Sequence, residues 1–88
     1  MTKSPKYSLR IKRSAEKDMD RLPPAIFDRI AETILALEAE PRPQGSRKLR
    51  GAEEYRVRVG SYRILYTIDD DTRTVEVVAV GHRRDIYR

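Results

Sequence analysis

The spacing of the apolar residues switches from a helical to a strand period at the turn cluster 41–45 (Pro-Arg-Pro-Gln-Gly). From Ala15 to Leu37, ahead of the cluster, apolar residues recur every three to four positions, which is typical of amphipathic helices. After it they alternate with polar residues, as in strands that expose one face. A chain of 88 residues has room for one hydrophobic core, so helices and strands must share it. We therefore predict a single α+β domain spanning residues 1–88.

The order of the elements follows from the same patterns. Tyr7 to Lys12 alternates and predicts a first strand, and Ser14 is placed to cap the helix that follows. A second helix runs from Ala25 to about Ala39. Pro23-Pro24 separates the two helices so closely that they should form an antiparallel hairpin. The next strands are predicted around Tyr55–Val59, over Tyr62–Ile68 and over Thr74–Val80, with Gly81 ending the last one. The expected fold is β-α-α-β-β-β, a small twisted, mainly antiparallel sheet with the helical hairpin on one face.

The second helix has a clear apolar stripe. Its members are Ile26, Ile30, Ile34 and Leu37, and we expect the stripe to be widened by Phe27, Ala31 and Leu35. This face should rest on the sheet.

The strands place three arginines together. With Gly60-Ser61 as a two-residue hairpin loop, Arg58 pairs with Arg63, and Arg56 lies on the same face. The other face, towards the helices, takes Tyr55, Val57, Val59, Tyr62, Ile64, Tyr66 and Ile68. Like charges directly opposite each other destabilise a sheet. Either the arginine stems cover an exposed face with their heads in water, or the group binds an anion. The second explanation is favoured because the acids that could pair these arginines lie elsewhere in the sequence.

The charge is basic and uneven. The formal net charge is +5, and most of the 19 cationic residues are Arg, which makes planar two-pronged contacts with phosphate. Between Ser46 and Arg63 six cations stand against two anions, whereas one cation stands against four anions between Ile64 and Gly81. A basic segment rich in Arg favours nucleic acid as the partner.

Several classes of protein are excluded. Without Cys there is no disulfide framework, thiolate nucleophile or thiolate-bound zinc. A lone histidine, His82, cannot build a multi-histidine metal site, so we expect no metal and no cofactor. Three consecutive acids, Asp69 to Asp71, lack the spacing of a calcium loop and predict a solvated turn. No apolar run approaches a membrane span, and the first residues lack the apolar stretch of a secretory signal, so the expected location is the cytoplasm.

Four segments follow one another in a distinctive order and spacing: Lys48-Leu49-Arg50-Gly51, Tyr55-Arg56-Val57-Arg58, Ser61-Tyr62-Arg63-Ile64-Leu65-Tyr66, and Val80-Gly81-His82-Arg83-Arg84-Asp85-Ile86-Tyr87-Arg88. Together they make the chain resemble the RelE/ParE superfamily of toxins from type II toxin–antitoxin pairs. The superfamily's architecture is the β-α-α-β-β-β order. The resemblance implies one of two activities. RelE-type members are ribosome-dependent endoribonucleases that cut mRNA in the A site, whereas ParE-type members inhibit DNA gyrase and lack the nuclease residues.

The resemblance also implies roles for residues. The RelE-type catalytic positions correspond to Arg56, Arg58, Arg63, Arg83 and Tyr87, and the expected RNA-binding residues around them are Arg47, Lys48, Arg50, His82 and Arg84. All five catalytic positions carry suitable residue types, which favours RelE over ParE. In two respects the chain departs from the family pattern: both second-strand positions are Arg rather than Lys, and the tail is short.

The expected chemistry is attack of an RNA 2′-hydroxyl on the adjacent phosphate, without a metal. Arginine cannot serve as the base. Tyr87 is the preferred candidate, and His82 is the second. The implied partners are a cognate antitoxin, the ribosome and mRNA, with no membrane. Two alternatives remain open: a ParE-like gyrase inhibitor without nuclease activity, and a basic RNA-binding module without catalysis.

Overall fold

The computed structural model describes residues 6–49 and 53–84. Within these ranges the chain forms two helices and five strands. Their bounds are β1 Ser8–Ile11, α1 Arg13–Asp20, α2 Pro24–Ala36, β2 Arg47–Lys48, β3 Glu54–Val59, β4 Tyr62–Asp69 and β5 Thr74–His82. The predicted α+β class is confirmed, and one short strand, β2, is added to the predicted order.

The strands lie in one sheet in the order β1-β5-β4-β3-β2. Strand β1 runs parallel to β5, and every other neighbouring pair is antiparallel. The mainly antiparallel sheet is therefore confirmed. A parallel pair needs a long connection, and here that connection contains both helices and the three strands β2 to β4.

Strand β2, formed by Arg47 and Lys48, is absent from the order predicted from the sequence. Arg47 pairs with Arg56 and Lys48 pairs with Tyr55, both across to β3. The pairing continues for one more hydrogen bond, because the Leu49 N–H donates to the Glu54 carbonyl at 2.8 Å. A strand of two residues has no periodic pattern to detect. Short, positively charged strands are common at sheet edges, where they discourage pairing with another chain.

The β3–β4 hairpin has the predicted register. Its loop is Gly60-Ser61, and Arg58 pairs with Arg63 as expected. Gly60 has a φ of +60°, a conformation that glycine adopts without steric cost and that two-residue hairpin loops require. The loop therefore fixes which side chains of both strands point to each face.

Strand β5 contains a bulge that the sequence did not reveal. Leu65 pairs with Ala79, but Tyr66 pairs with Val77, so Val78 is an extra residue in β5. An extra residue reverses the alternation beyond it. The strand also continues past Gly81 to His82, which corrects the expectation that Gly81 ends it.

Helix α1 is fixed over this bulge by two side chains. Ser14 Oγ donates to the Val78 carbonyl at 3.2 Å, and Asp18 Oδ2 accepts the Val80 N–H at 3.0 Å. Ser14 was expected to cap α1, but the helix begins at Arg13 without a side-chain cap. Its hydroxyl instead satisfies a backbone carbonyl of the bulge residue, and unpaired backbone groups at such sites are costly.

One face of the sheet and both helices share a single apolar core. The buried residues are Ala15 and Met19 of α1, Ile30 and Ile34 of α2, Leu37 directly after it, Val57 and Val59 of β3, Ile64, Tyr66 and Ile68 of β4, and Val75, Val77 and Val80 of β5. Both helices therefore lie on the same sheet face, as predicted. The predicted inward set of β3 and β4 is confirmed, with Tyr55 and Tyr62 partly buried at its edge.

Tyr66 combines apolar and polar anchoring. Its ring is fully buried and stacks on Tyr55 at 5.9 Å between centroids. Its hydroxyl donates to the Pro41 carbonyl at 2.7 Å, which joins the turn after α2 to the middle of β4. Burial raises the pKa of the Tyr66 phenol, so the group stays protonated and remains a donor.

Two residues of α2 are more exposed than expected. Phe27 is 38% exposed and Leu35 is 58% exposed, so they do not widen the buried stripe. The helix rests on the sheet along Ile30, Ile34 and Leu37, and a side chain farther around the helix axis no longer reaches the sheet.

Leu37 and Leu35 provide a matched test of this packing. Leu37→Ala removes a fully buried side chain and leaves a cavity, so we expect the free energy of unfolding to fall by about 2–4 kcal/mol. Leu35→Ala should change it by less than about 0.5 kcal/mol. Urea unfolding followed by circular dichroism measures both. Equal losses in the two variants would contradict the orientation of α2.

Candidate nucleic-acid interface

The sheet face away from the helices carries a group of four arginines, here called the arginine patch: Arg47, Arg56, Arg58 and Arg63. Residues paired across antiparallel strands lie on the same face. Arg58 faces Arg63 across β3 and β4, and Arg47 faces Arg56 across β2 and β3. The structure thus brings together the three predicted arginines and adds Arg47.

The members of the patch differ in exposure. Arg56 is buried, with 8% of its surface exposed, whereas Arg47 and Arg58 are exposed. Arg56 and Arg63 each interact with other groups of the protein. A buried guanidinium must be well satisfied by polar partners, so the explanation that its head simply extends into water does not hold for Arg56. Arg47 and Arg58 are the members whose charge is most accessible to a ligand.

A concavity of about 440 Å³ lies beside the patch. Its lining combines three arginines with the loop before β2: Gln44, Gly45, Ser46, Arg47, Arg56, Val57 and Arg58. This volume is within the range of small-ligand sites, roughly 300–1,000 Å³. Guanidinium, hydroxyl and amide groups are the donors that bind phosphate oxygens. The concavity is therefore suited to one phosphate-bearing unit of a nucleic acid.

The tail is attached at the hairpin end of the patch. The Arg83 N–H donates to the Ser61 carbonyl at 2.9 Å. Gly81 pairs with Arg63, and Arg83 follows Gly81 by two residues. Arg83 therefore lies next to the Gly60-Ser61 loop. Arg83 and Arg84 are both exposed there. Of the predicted catalytic set, Arg56, Arg58, Arg63 and Arg83 lie at one end of the sheet, and Tyr87 lies outside the described residues.

Two predicted RNA-binding residues do not join the patch. Lys48 pairs with Tyr55, which puts it on the helix side of the sheet. His82 pairs with Tyr62 on that same side, and their rings meet edge to face at 5.6 Å. Arg50 lies outside the described residues. The bulge at Val78 explains the position of His82, because unbroken alternation from Val75 would have put it with the arginines.

One cation that the sequence did not indicate reaches the same end. A Cβ at Gly60 would lie 3.8 Å from Nη1 of Arg29, so this arginine of α2 lies beside the hairpin loop. It looked like an ordinary outward residue of an amphipathic helix. No local pattern predicts the contact, because the fold alone brings α2 to the loop.

Another arginine is held at the opposite end of the molecule. Arg42 makes a two-pronged ion pair with Asp70, with Nη2 to Oδ2 at 2.9 Å, and its Nε donates to the Tyr55 hydroxyl at 3.1 Å. The Tyr7 hydroxyl donates to Asp70 Oδ1 at 2.7 Å. The hydrogen bonds from Arg42 and Tyr7 lower the pKa of Asp70. Arg42 therefore joins two turns and is engaged away from the patch.

The acidic turn behaves as predicted. Asp69 Oδ1 accepts the N–H groups of Asp71 and Thr72 at 3.0 and 3.2 Å, which orders the turn internally.

In residues 6–49 and 53–84, no three His, Asp or Glu side chains are grouped so that they could hold a metal ion. Neither of the helices in that part of the chain is long and apolar enough to cross a membrane.

Comparison with known families identifies the fold. The model of the ParE toxin of the type II toxin–antitoxin system parDE matches residues 9–87. The chain belongs to the RelE/ParE superfamily of type II toxins. This toxin is 40% identical to toxin RelG of Mycobacterium tuberculosis. The alignment spans 86 residues and covers 93% of this chain and 97% of RelG.

Solved structures agree with that membership. This toxin is similar to a chain of the RelBE2 toxin–antitoxin complex of M. tuberculosis, with a TM-score of 0.79 and 36% identity over 89% of this chain and 99% of that one. It is also similar to a chain of the RelE–RelB complex of Pyrococcus horikoshii, with a TM-score of 0.80 and 28% identity over 90% and 97% of the two chains. The RelE-like fold expected from the sequence is confirmed.

The arginine patch should cost the toxin stability. Arg58→Gln removes one member of the Arg58–Arg63 pair, so we expect the free energy of unfolding to rise by about 0.2–1 kcal/mol at low salt. The gain should shrink in 1 M NaCl, where charges are screened within about 3 Å. Arg10→Gln is the matched control, because Arg10 faces Glu76 and its loss should lower stability instead. A destabilised Arg58→Gln would contradict repulsion within the patch.

Proposed function

We propose that this toxin is a ribosome-dependent endoribonuclease that cuts mRNA in the A site and so inhibits translation. The observation that carries the proposal is that the arginine patch and the turn formed by Arg83 and Arg84, here called the Arg83 turn, lie at one end of the sheet. Such a surface suits the phosphate backbone of RNA. The similarity to RelG and to RelE chains supports the choice of RelE-type over ParE-type activity.

In the proposed reaction the RNA supplies its own nucleophile. The 2′-oxygen attacks the neighbouring phosphorus, the bond from O2′ to phosphorus forms, and the bond from phosphorus to O5′ breaks. The products are a cyclic phosphate and a 5′-hydroxyl. Arg58 and Arg63 stabilise the extra negative charge on the phosphate, and one such preorganised donor is worth about 10²–10³ in rate. Arg83 stabilises charge on the leaving oxygen, which takes its proton from water.

Proton transfer is assigned to Tyr87, which takes the proton of the 2′-hydroxyl. A phenol has an ordinary pKa near 10, and nearby cations favour its ionised form. His82 was the second candidate, but it lies on the helix side of the sheet, and its Nδ1 already accepts the Arg84 N–H. A base this weak predicts little cleavage of free RNA, with the ribosome supplying what the protein lacks.

The partners proposed for this toxin are the ribosome with its mRNA, and a cognate antitoxin. The solved relatives of M. tuberculosis and P. horikoshii are complexes of a toxin with an antitoxin, which supports the second partner. An acidic antitoxin segment would neutralise the arginine patch and could order itself on this surface. Translating ribosomes as the target imply action in the cytoplasm.

A second candidate function is inhibition of DNA gyrase without nuclease activity. It is favoured by one observation, the match to the model described for the ParE toxin. A third, binding of RNA without catalysis, would use the same cations. Under that third function Tyr87→Phe should leave toxicity intact, because binding of a phosphate backbone needs cations and no phenol.

Primer extension on an mRNA, with and without translating ribosomes, tests the proposal. We expect cuts by the wild type that depend on ribosomes, and loss of at least about 10²-fold in cutting for Arg83→Ala. Arg10→Gln is the control, because Arg10 lies on the same sheet face beside Glu76, away from the patch. It should cut like the wild type.

Two outcomes would contradict the proposal. Growth arrest without any cut, joined to loss of DNA supercoiling by purified gyrase, would establish the ParE-like function. Ribosome binding without cuts, equal for the wild type and Tyr87→Phe, would establish the RNA-binding module.

A further inference from the structure

His82 has two separate contacts at the point where β5 ends. Its ring meets the ring of Tyr62, directly across on β4, edge to face at 5.6 Å. Its Nδ1 accepts the N–H of Arg84 at 3.2 Å. An imidazole nitrogen that accepts a hydrogen bond carries no proton, so this contact requires the neutral ring with its proton on Nε2.

These contacts restrict the backbone of Arg83 on both sides. The Arg83 N–H is held by the Ser61 carbonyl at 2.9 Å, which fixes the chain where it enters the residue. The next N–H, that of Arg84, points in the direction set by ψ of Arg83, and His82 Nδ1 holds it. With both amide groups held, the backbone dihedrals of Arg83, and with them the direction of its Cα–Cβ bond, are restricted.

We propose that His82 is a positioning residue, whose Nδ1 holds the turn that aims Arg83 at the scissile phosphate. This inference rests on the proposed nuclease function. His82 itself touches no RNA in it, which differs from the RNA-binding role expected from the sequence. The bulge at Val78 is what makes the role possible, because it puts the His82 ring beside Tyr62 rather than with the arginines.

The Tyr62 contact explains why a ring suits this position. An aromatic pair edge to face is favourable beyond the area it buries, and here it holds the imidazole so that Nδ1 faces back along the tail. Other short side chains can accept a backbone N–H two residues later, and Asn does so commonly in turns. Ring packing and hydrogen-bond acceptance can therefore be removed one at a time.

Two substitutions separate them. His82→Phe keeps a ring against Tyr62 but has no acceptor, and a misplaced Arg83 should lower kcat for cleavage on the ribosome by about 10–100-fold. KM should change by less than about 2-fold, because the patch that binds RNA is intact. His82→Asn restores an acceptor without the ring, and its kcat should return to within about 5-fold of the wild type.

A double variant tests whether the effect passes through Arg83. If His82 acts only by aiming Arg83, then His82→Phe with Arg83→Ala should be no slower than Arg83→Ala alone. Thermal unfolding of all variants accompanies the kinetics. A His82→Phe protein that melts with the wild type shows that lost activity is not lost folding.

Each other outcome overturns the inference. Wild-type kcat in His82→Phe would mean that the acceptor is dispensable. His82→Asn as slow as His82→Phe, or a further loss in the double variant, would mean that the imidazole acts in its own right. These results all require a wild type that cuts mRNA on ribosomes. A wild type that does not cut overturns the proposed function itself, and with it the inference.

Discussion

The alternation of the β3–β4 hairpin is the constraint on which the rest of this toxin depends. A two-residue loop containing Gly60 at positive φ pairs Val59 with Tyr62 and thereby sets every later pair. In this register the apolar side chains of both strands meet the helices and the arginines meet each other. A slip of one residue would exchange the two sets. The packing of the core therefore fixes the arginines side by side on the opposite face.

The same face of the sheet is divided by charge. At the hairpin end lie the arginine patch and the Arg83 turn, while the other end carries Asp69 and Glu76, with Arg10 beside the latter. The hairpin end is therefore basic overall, and Glu54 of β3 lies on the same face two residues from Arg56. Under the proposed function, phosphates that enter this end offset the cost that we expect the like charges to have in the free protein, which is a common trade between stability and function.

Much of this arrangement could be predicted from the sequence, because it rests on local patterns. Alternation gave β3 and β4, the Gly60-Ser61 loop gave their register, and the two together gave the shared face of Arg56, Arg58 and Arg63. The partnership of Arg47 with Arg56 could not be predicted, since it depends on a strand of two residues paired across a loop. Arg29 reaches Gly60 only because α2 packs where it does.

The end of β5 was the hardest part to predict, and the reason is a single residue. The run from Val77 to Val80 is apolar throughout, so its sequence gives no sign that Val78 is extra. Without the bulge, His82 would lie with the arginines, as the sequence suggested. With it, His82 packs on Tyr62. Helix α1 stabilises the bulge through Ser14 and Asp18, whose hydrogen-bond partners lie 64 and 62 positions away in the sequence.

The most direct test of the arginine patch as the RNA-binding surface is the salt dependence of ribosome binding. Affinity for mRNA-programmed ribosomes would be measured over a range of KCl concentrations in an Arg83→Ala background, so that the RNA stays intact. We expect Arg58→Gln in this background to reduce the slope of log K against log salt by about 0.7–0.9, the value for one phosphate contact. Arg10→Gln should leave the slope unchanged. Equal slopes for Arg58→Gln and its parent would contradict a phosphate-binding role for the patch.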